Sequence, residues 1–215
     1  MVTGQEIKLT VVRHGETNWN KEKRIQGQID IPLNAKGIAQ ASAVAYQLKA
    51  EIFDGIVSSD LSRAKQTAEP NKSSGTQLTL EPLIRERHLG VLEGLFVSDA
   101  NEKNEKDLRA FQERSFTHTP PGAESMEEFV SRVKKSLTLI HKKFKKGPVL
   151  LITHGGVIDI LWRLANKIEP GNKVTIPIGN GSIHRFIYNP ENESVDIESF
   201  NQVEHLTHSI VLNDL

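Results

Sequence analysis

Two histidines in this sequence stand directly before glycine, and each follows a short run of apolar residues. The first run ends in Arg13-His14-Gly15 and the second in His154-Gly155. Both runs are rich in aliphatic residues and predict buried strands, so both histidines are expected where a strand ends. A single histidine at a strand end is more often a hydrogen-bonded structural residue. Two of them, with an arginine beside the first, favour a functional site.

Arg13 indicates what such a site would bind. A guanidinium group is a planar fork that matches phosphate oxygens and stays charged at any relevant pH. The same charge disfavours a divalent cation among these histidines. The chain has no cysteine and no H-E-x-x-H or H-x-H spacing, which are the usual signs of a zinc site. We therefore expect a site for an anion, with no metal and no cofactor.

Composition narrows the class of protein further. The 215 residues include 27 lysines and arginines and 27 aspartates and glutamates, so no overall field favours nucleic acid or an anionic membrane. The N-terminus lacks an apolar signal core, and no run of eighteen apolar residues occurs. The expectation is a cytoplasmic protein with no membrane or nucleic-acid partner, and a homodimer remains open.

Strands and helices alternate along the chain, which predicts a largely parallel sheet. The expected strands are residues 7–12, 55–59, 76–80, 148–153, 183–188 and 194–200. Ligands of such sheets bind beyond the carboxyl ends of the strands, where both histidines are expected. The predicted fold is an α/β class, three-layer α/β/α sandwich of one domain, with the site at that edge.

Three helices are predicted from the spacing of apolar residues. The first starts at Lys36, and the second is capped by Asp60 and ends before Pro70. The third runs from Met126 to Phe144 with a continuous apolar face. The expected apolar face of the first helix consists of Ile38, Ala41, Ala45 and Leu48.

Residues 97–123 form a polar, charged stretch that ends in Thr119-Pro120-Pro121-Gly122. This composition predicts an excursion over the fold that lies outside its core and acts as a lid.

The sequence around His14, Arg13-His14-Gly15-Glu16-Thr17, resembles the signature of the histidine phosphatase superfamily, which has the phosphoglycerate mutase-like fold. Further blocks resemble that family in its own order over residues 7–206. They are Asn20, Gln26-Gly27, Pro32-Leu33, Ser58-Ser59-Asp60-Leu61 with Arg63 and Gln66-Thr67, Arg85-Glu86-Arg87 with Gly90 and Glu93-Gly94, Pro121-Gly122 with Glu124-Ser125, and Thr153-His154-Gly155-Gly156.

The resemblance implies roles for these residues. His14 becomes the nucleophile, Arg13, Arg63 and His154 hold the transferred phosphoryl group, and Glu86 becomes the general acid and base. Such cationic groups suit the negative charge that phosphoryl transfer spreads over oxygen atoms. Glu86 has an alternative interpretation as a solvated loop carboxylate between two arginines.

The substrate side is less strongly marked. The resemblance makes Asn20, Gln26 and Gly27 line it, and Gly155 leaves room for a ligand beside the backbone. Five basic residues lie near these motifs in the sequence. They either bind a second anionic group of the substrate or are exposed to solvent, and both alternatives stay open: Lys21, Lys23, Arg24, Arg85 and Arg87.

Three functions are compatible with this pattern. The favoured one is a phosphatase that hydrolyses a small phosphorylated metabolite of sugar or glycerate type through a phosphohistidine. The alternative is a phosphoglycerate mutase dependent on 2,3-bisphosphoglycerate. A non-catalytic phosphate-binding protein is disfavoured because all five chemical positions are filled.

Overall fold

A six-stranded sheet forms the middle layer of the fold. The computed structural model describes residues 5–72, 76–98, 104–145 and 147–207. The strands are β1 (Ile7–Arg13), β2 (Gly55–Ser58), β3 (Leu78–Leu80), β4 (Val149–Thr153), β5 (Ile183–Asn189) and β6 (Ser194–Gln202). They lie in the order β3-β2-β4-β1-β5-β6, where the first four are parallel to one another, β5 runs antiparallel to β1, and β6 runs antiparallel to β5. The predicted mainly parallel sheet is confirmed, and β3 is shorter than expected.

Helices cover both faces of this sheet. Those described are α1 (Asn18–Lys21), α2 (Ala35–Leu48), α3 (Ser62–Ala68), α4 (Glu105–Gln112), α5 (Met126–Phe144) and α6 (Gly155–Asn166). Alternate residues of β4 point to opposite layers: Leu151 packs with α5 and α6, and Leu150 packs with α2 and α3. The arrangement is the predicted three-layer sandwich. In the part of the chain that is described, no helix is long and apolar enough to cross a membrane.

Helix α2 buries Ala41 and Leu48 of its predicted apolar face, but not Ile38. Ile38 is 56% exposed, whereas Gln40 is buried. The reason is the turn after β1, which rests on this helix: a Cβ on Gly37 would lie 2.1 Å from the Glu16 carbonyl oxygen, and the Glu16 N–H donates to Gln40 Oε1 at 2.8 Å. The helix is rotated so that it supports the backbone beside His14.

The predicted cap of α3 is wrong. Asp60 does not cap this helix, because its carboxylate pairs with Arg85 at 2.5 Å. Asp30 binds the helix start instead, and accepts hydrogen bonds from the backbone N–H and the hydroxyl of Ser62 at 2.7 and 2.8 Å. The predicted end before Pro70 is confirmed, since α3 finishes at Ala68.

The segment 97–123 contributes more packing than its composition predicts. Its residues 99–103 lie outside the described part of the chain. Helix α4 buries Leu108 against Ile25, Leu89 and Leu92 in a small apolar cluster of its own. The expectation that the whole segment lies outside the core is therefore corrected, and its role as a lid stays a prediction.

Candidate active site

The register of the central strands brings the two histidines together. Arg13 of β1 pairs with Thr153 of β4, so the next residue of each strand emerges at the same edge of the sheet. The ring centroids of His14 and His154 are 5.1 Å apart. Parallel strands that end together place distant parts of the chain side by side, as the sequence predicted.

The His14 ring is buried and held in one tautomer. Its Nδ1 donates to the Gly15 carbonyl oxygen at 2.7 Å, so the proton lies on Nδ1 and Nε2 keeps its lone pair. The pKa of His14 is well below its ordinary value, because burial disfavours the imidazolium and Arg63 and Arg13 add positive charge nearby. The ring is thus a neutral base.

Two guanidinium groups lie beside this ring. Arg63 is 1% exposed and donates to the carbonyls of Gly27 and Ile29 at 2.8 and 2.9 Å. Burial lowers the pKa of Arg63 to about 10, so it remains a cation. Arg13 donates through Nη1 to the Ile178 carbonyl at 2.6 Å. Among the described residues, Arg13 Nε is the buried side-chain polar atom found without a hydrogen-bond partner.

His154 lies next to both His14 and Arg63. Its Nδ1 accepts from Arg63 Nε at 3.3 Å, so its proton is on Nε2, which donates to the Ser59 hydroxyl at 2.8 Å. Its pKa is also well below the ordinary value, mainly through burial and then through Arg63. Both ring nitrogens are occupied by protein groups, and direct contact of His154 with a phosphoryl group stays a prediction.

Glu86 points into the same pocket as His14 and the two arginines. Its Oε2 accepts from the Gly156 N–H at 3.0 Å and its Oε1 from the Arg87 N–H at 2.9 Å. A Cβ on Gly156 would lie 2.1 Å from Oε1, so this glycine makes room for the carboxylate. Glu86 is therefore held in place by the first turn of α6, unlike a solvated loop residue.

The four residues predicted on the substrate side all have a place at the pocket. Asn20, Gln26, Gly27 and Gly155 all line the pocket. Gly27 has a left-handed φ of 51°, and a Cβ there would strike the Glu93 carboxylate at 2.0 Å. A Cβ on Gly155 would lie 3.5 Å from Arg13 Nε, an ordinary contact, so its missing side chain leaves space beside that N–H.

The pocket has a volume of ≈ 640 Å³ and extends well beyond the two arginines. Three of the five cations with open roles line it, namely Lys23, Arg24 and Arg87. Arg85 instead pairs with Asp60. The lining also includes apolar side chains and residues of the segment 97–123: Trp19, Val97, Phe111, Gln112, Arg114 and Ile176. The space accommodates a leaving group larger than a phosphate ion.

Among the described residues, no three or more carboxylate, histidine or cysteine groups are arranged so that they could hold a metal ion. Metal independence itself stays a prediction. The arrangement of a neutral imidazole, two guanidinium groups and a carboxylate is suited to the transfer of a phosphoryl group.

Sequence comparison decides the family. A profile of the histidine phosphatase superfamily (branch 1) matches residues 9–202. The chain belongs to this superfamily. As a branch 1 histidine phosphatase superfamily enzyme, it has the phosphoglycerate mutase-like fold that the resemblance implied.

Relatives of this superfamily member include both mutases and phosphatases by name. Phosphoglycerate mutase-like protein 4 of Arabidopsis thaliana is 36% identical over 83% of this chain and 78% of its own. The metal-independent phosphoserine phosphatase of the same plant is 34% identical over 96% and 86%. A phosphoserine phosphatase from Entamoeba histolytica, solved in complex with 3-phosphoglyceric acid, superposes with a TM-score of 0.77 at 30% identity, over 93% of this chain and 99% of that one.

Several residues that hold this site had no role assigned from the sequence. Arg132 of α5 donates to the carbonyls of Leu83, Arg85 and Glu86, each at 2.8 Å. Asn180 donates through Nδ2 to the His14 carbonyl at 3.1 Å. An arginine beside an apolar stripe and an asparagine in a loop carry no sequence signal of such contacts. The serine that binds His154 does lie in a family block.

Proposed function

We propose that the protein hydrolyses small phosphomonoesters through a phosphohistidine on His14. The observation that carries this proposal is the state of the His14 ring. Because Nδ1 donates to the Gly15 carbonyl, the Nε2 lone pair is free to attack, and two buried guanidinium groups beside it stabilise negative charge on phosphoryl oxygens. The His14 ring does not have to lose a proton before it attacks phosphorus, because it is already neutral.

The first step forms a bond between His14 Nε2 and phosphorus while the bond from phosphorus to the leaving oxygen breaks. Glu86 gives its proton to that oxygen and becomes a carboxylate. In the second step water attacks phosphorus, the bond to Nε2 breaks, and Glu86 takes a proton from the water. Inorganic phosphate leaves, and both His14 and Glu86 return to their starting states.

Arg13 and Arg63 hold the phosphoryl oxygens in this proposal. The unpartnered Arg13 Nε supports it, because a buried N–H is rarely left without an acceptor. Arg63 uses three N–H groups on Gly27, Ile29 and His154, and no hydrogen bond found among the described residues uses its other two. His154 contributes by fixing Arg63 and by reaching the phosphoryl group after a shift of its ring.

The leaving group occupies the far part of the pocket, past Asn20, Gln26, Gly27 and Gly155. We propose a small phosphorylated metabolite of sugar, glycerate or amino-acid type. Support comes from the pocket volume of ≈ 640 Å³ and from relatives named as a phosphoserine phosphatase and as a mutase-like protein. The mutase-like relative also keeps phosphoglycerate mutase as the second candidate, in which the phosphohistidine returns its group to a bound phosphoglycerate.

The two candidate functions differ in whether the phosphohistidine passes its phosphoryl group to water or to a bound phosphoglycerate, and this ratio can be measured. The purified protein is given phosphoserine, and separately 3-phosphoglycerate with a trace of 2,3-bisphosphoglycerate, in the presence of a chelator. We expect phosphate release to exceed isomerisation. Isomerisation faster than phosphate release by on the order of a hundredfold, about 2.7 kcal/mol in barrier height, would establish the mutase. Loss of all turnover on chelation, restored by magnesium or zinc, would refute the metal-independent mechanism.

A further inference from the structure

Asp159 is a buried carboxylate in the pocket that the proposed chemistry does not use. It is 3% exposed and lies one turn of α6 after Gly155, on the face that lines the pocket. Its Oδ2 accepts from Arg114 Nη1 at 2.5 Å and from Arg163 Nε at 2.9 Å. One carboxylate oxygen therefore binds two arginines from different parts of the chain.

Arg163 carries this attachment into the loop after α6. Its side chain is fully buried, and its guanidinium donates to the carbonyl of Asn172 at 2.9 Å and to that of Val174. The same loop continues to Ile178, whose carbonyl accepts from Arg13. Through Arg163, Asp159 is attached to the part of this loop that precedes Ile178. The end next to Ile178 is held separately, because the Gly179 N–H donates to Asn201 Oδ1 at 3.0 Å.

Arg114 carries the attachment into a second segment, the stretch after α4. This stretch contacts the loop directly, because a Cβ on Gly171 would lie 2.9 Å from Phe116 Cδ2, and Glu113 pairs with Lys173 at 3.2 Å on the surface. We call residues 111–116 and 169–176 together the composite wall. Both parts of the composite wall contribute residues to the pocket.

We propose that Asp159 is a positioning residue that holds the composite wall against the leaving group of the substrate. Removing one partner from a buried ion pair leaves the other charge uncompensated, so the wall cannot keep its place without this carboxylate. Asp159 touches no reacting atom. Its loss should weaken binding of the leaving group and leave the phosphoryl site intact.

Kinetics of Asp159→Asn separate this role from general support of the fold. The inference rests on the proposed function only in that KM is read from ester hydrolysis. We expect KM for phosphoserine to rise roughly 10-fold or more, the size of a lost hydrogen bond between charged groups. Inhibition by vanadate, which occupies only the phosphoryl site, should stay within about twofold. An unchanged KM, or parallel weakening of vanadate, would overturn the proposal.

Arg114→Ala is a second test that does not depend on the folding of an Asp159 variant. Arg114 keeps 22% of its side chain exposed, and its removal leaves the Asp159 and Arg163 pair in place. It should raise KM, and Arg114→Lys should restore part of the loss. In the double variant with Asp159→Asn, KM should match the larger single effect within about threefold. Multiplied effects would mean that the two residues act independently.

Amide hydrogen exchange tests the composite wall without any activity. Arg114→Ala should speed exchange in residues 169–174 as well as in 111–116, because both parts are attached to Asp159. The matched control is Glu113→Gln, which removes the exposed pair with Lys173 from the same segment and should change neither part. Faster exchange confined to 111–116 would refute the coupling. If the wild-type protein hydrolysed no phosphomonoester, the proposed function would fail. The exchange measurement would still test whether Asp159 couples the two parts of the composite wall.

Discussion

Replacing Glu86 by glutamine keeps the size of the side chain and removes its proton. In the structure Oε1 and Oε2 each accept a backbone N–H, from Arg87 and Gly156. The glutamine amide has a single acceptor oxygen, so its NH₂ faces one of these donors. The lost hydrogen bond costs about 1–3 kcal/mol of stability. This local defect is the same for every substrate and cancels when two substrates are compared on one variant.

The comparison is between an alkyl and an aryl phosphate. An alkoxide is too basic to leave without a proton, whereas nitrophenolate leaves unaided. Phosphorylation of His14 by phosphoserine should therefore slow by roughly 10²–10⁴-fold in Glu86→Gln. Phosphorylation by p-nitrophenyl phosphate should slow much less, because its leaving group needs no proton.

Rapid-quench measurement of protein-bound phosphate reads both rates. In the proposed second step Glu86 activates water, so Glu86→Gln with p-nitrophenyl phosphate should give a burst of nitrophenolate and accumulate phosphohistidine. Gly156→Ala provides an independent perturbation, since its Cβ would lie 2.1 Å from Glu86 Oε1 and must displace that carboxylate. It should reproduce the difference between the esters. Equal slowing with both esters, with no accumulation, would show that Glu86 acts electrostatically and that another group carries the proton.

Two further predictions address the ring and its surroundings. His14→Ala should abolish the acid-labile covalent phosphate, and Arg63→Ala should lower turnover by roughly 10²–10³-fold as a lost charge-stabilising donor; covalent phosphate still trapped on His14→Ala would disprove the assignment. The free energy of unfolding should fall as pH drops from 6.5 to 5, because His14 and His154 have lowered pKa values and that of His184 is lowered to about 3, so the unfolded chain binds protons that the folded one does not. For His184 the slope is at most about 1.4 kcal/mol per pH unit in that window, and urea titrations that give the same stability at both pH values would contradict the prediction.

The sequence by itself determined the sheet and the phosphoryl end of the site. The apolar runs before His14 and His154 are local patterns, and parallel strands necessarily bring their carboxyl ends to one edge. The neighbours of His14 along the chain, Arg13 and Gly15, then follow without any tertiary information. The lowered pKa of the His14 ring was decided mainly by tertiary structure, because its largest cause is burial and the next is Arg63, which lies far from His14 in the sequence.

Tertiary contacts decided the faces and caps of the neighbouring helices. Periodicity in α2 favoured Ile38 as a buried residue, but the turn at Glu16 needs a close approach and rotates the helix to bury Gln40. Asp60 precedes α3 with the residue type of a cap, yet Arg85 takes its carboxylate and Asp30 caps from a distant loop. The spacing of apolar residues predicts that one side of a helix is buried, but it does not specify which element packs against that side.

The polar attachments of the site were decided by tertiary structure alone. Arg132 holds the carbonyls around Glu86, Asn180 holds the backbone of His14, and Asp159 joins Arg114 to Arg163. Apart from the pair within α6, these contacts join residues 45 or more positions apart. A charged side chain looks the same in a sequence whether it meets water or a buried partner, and only the packing of the helices on the sheet selects between them.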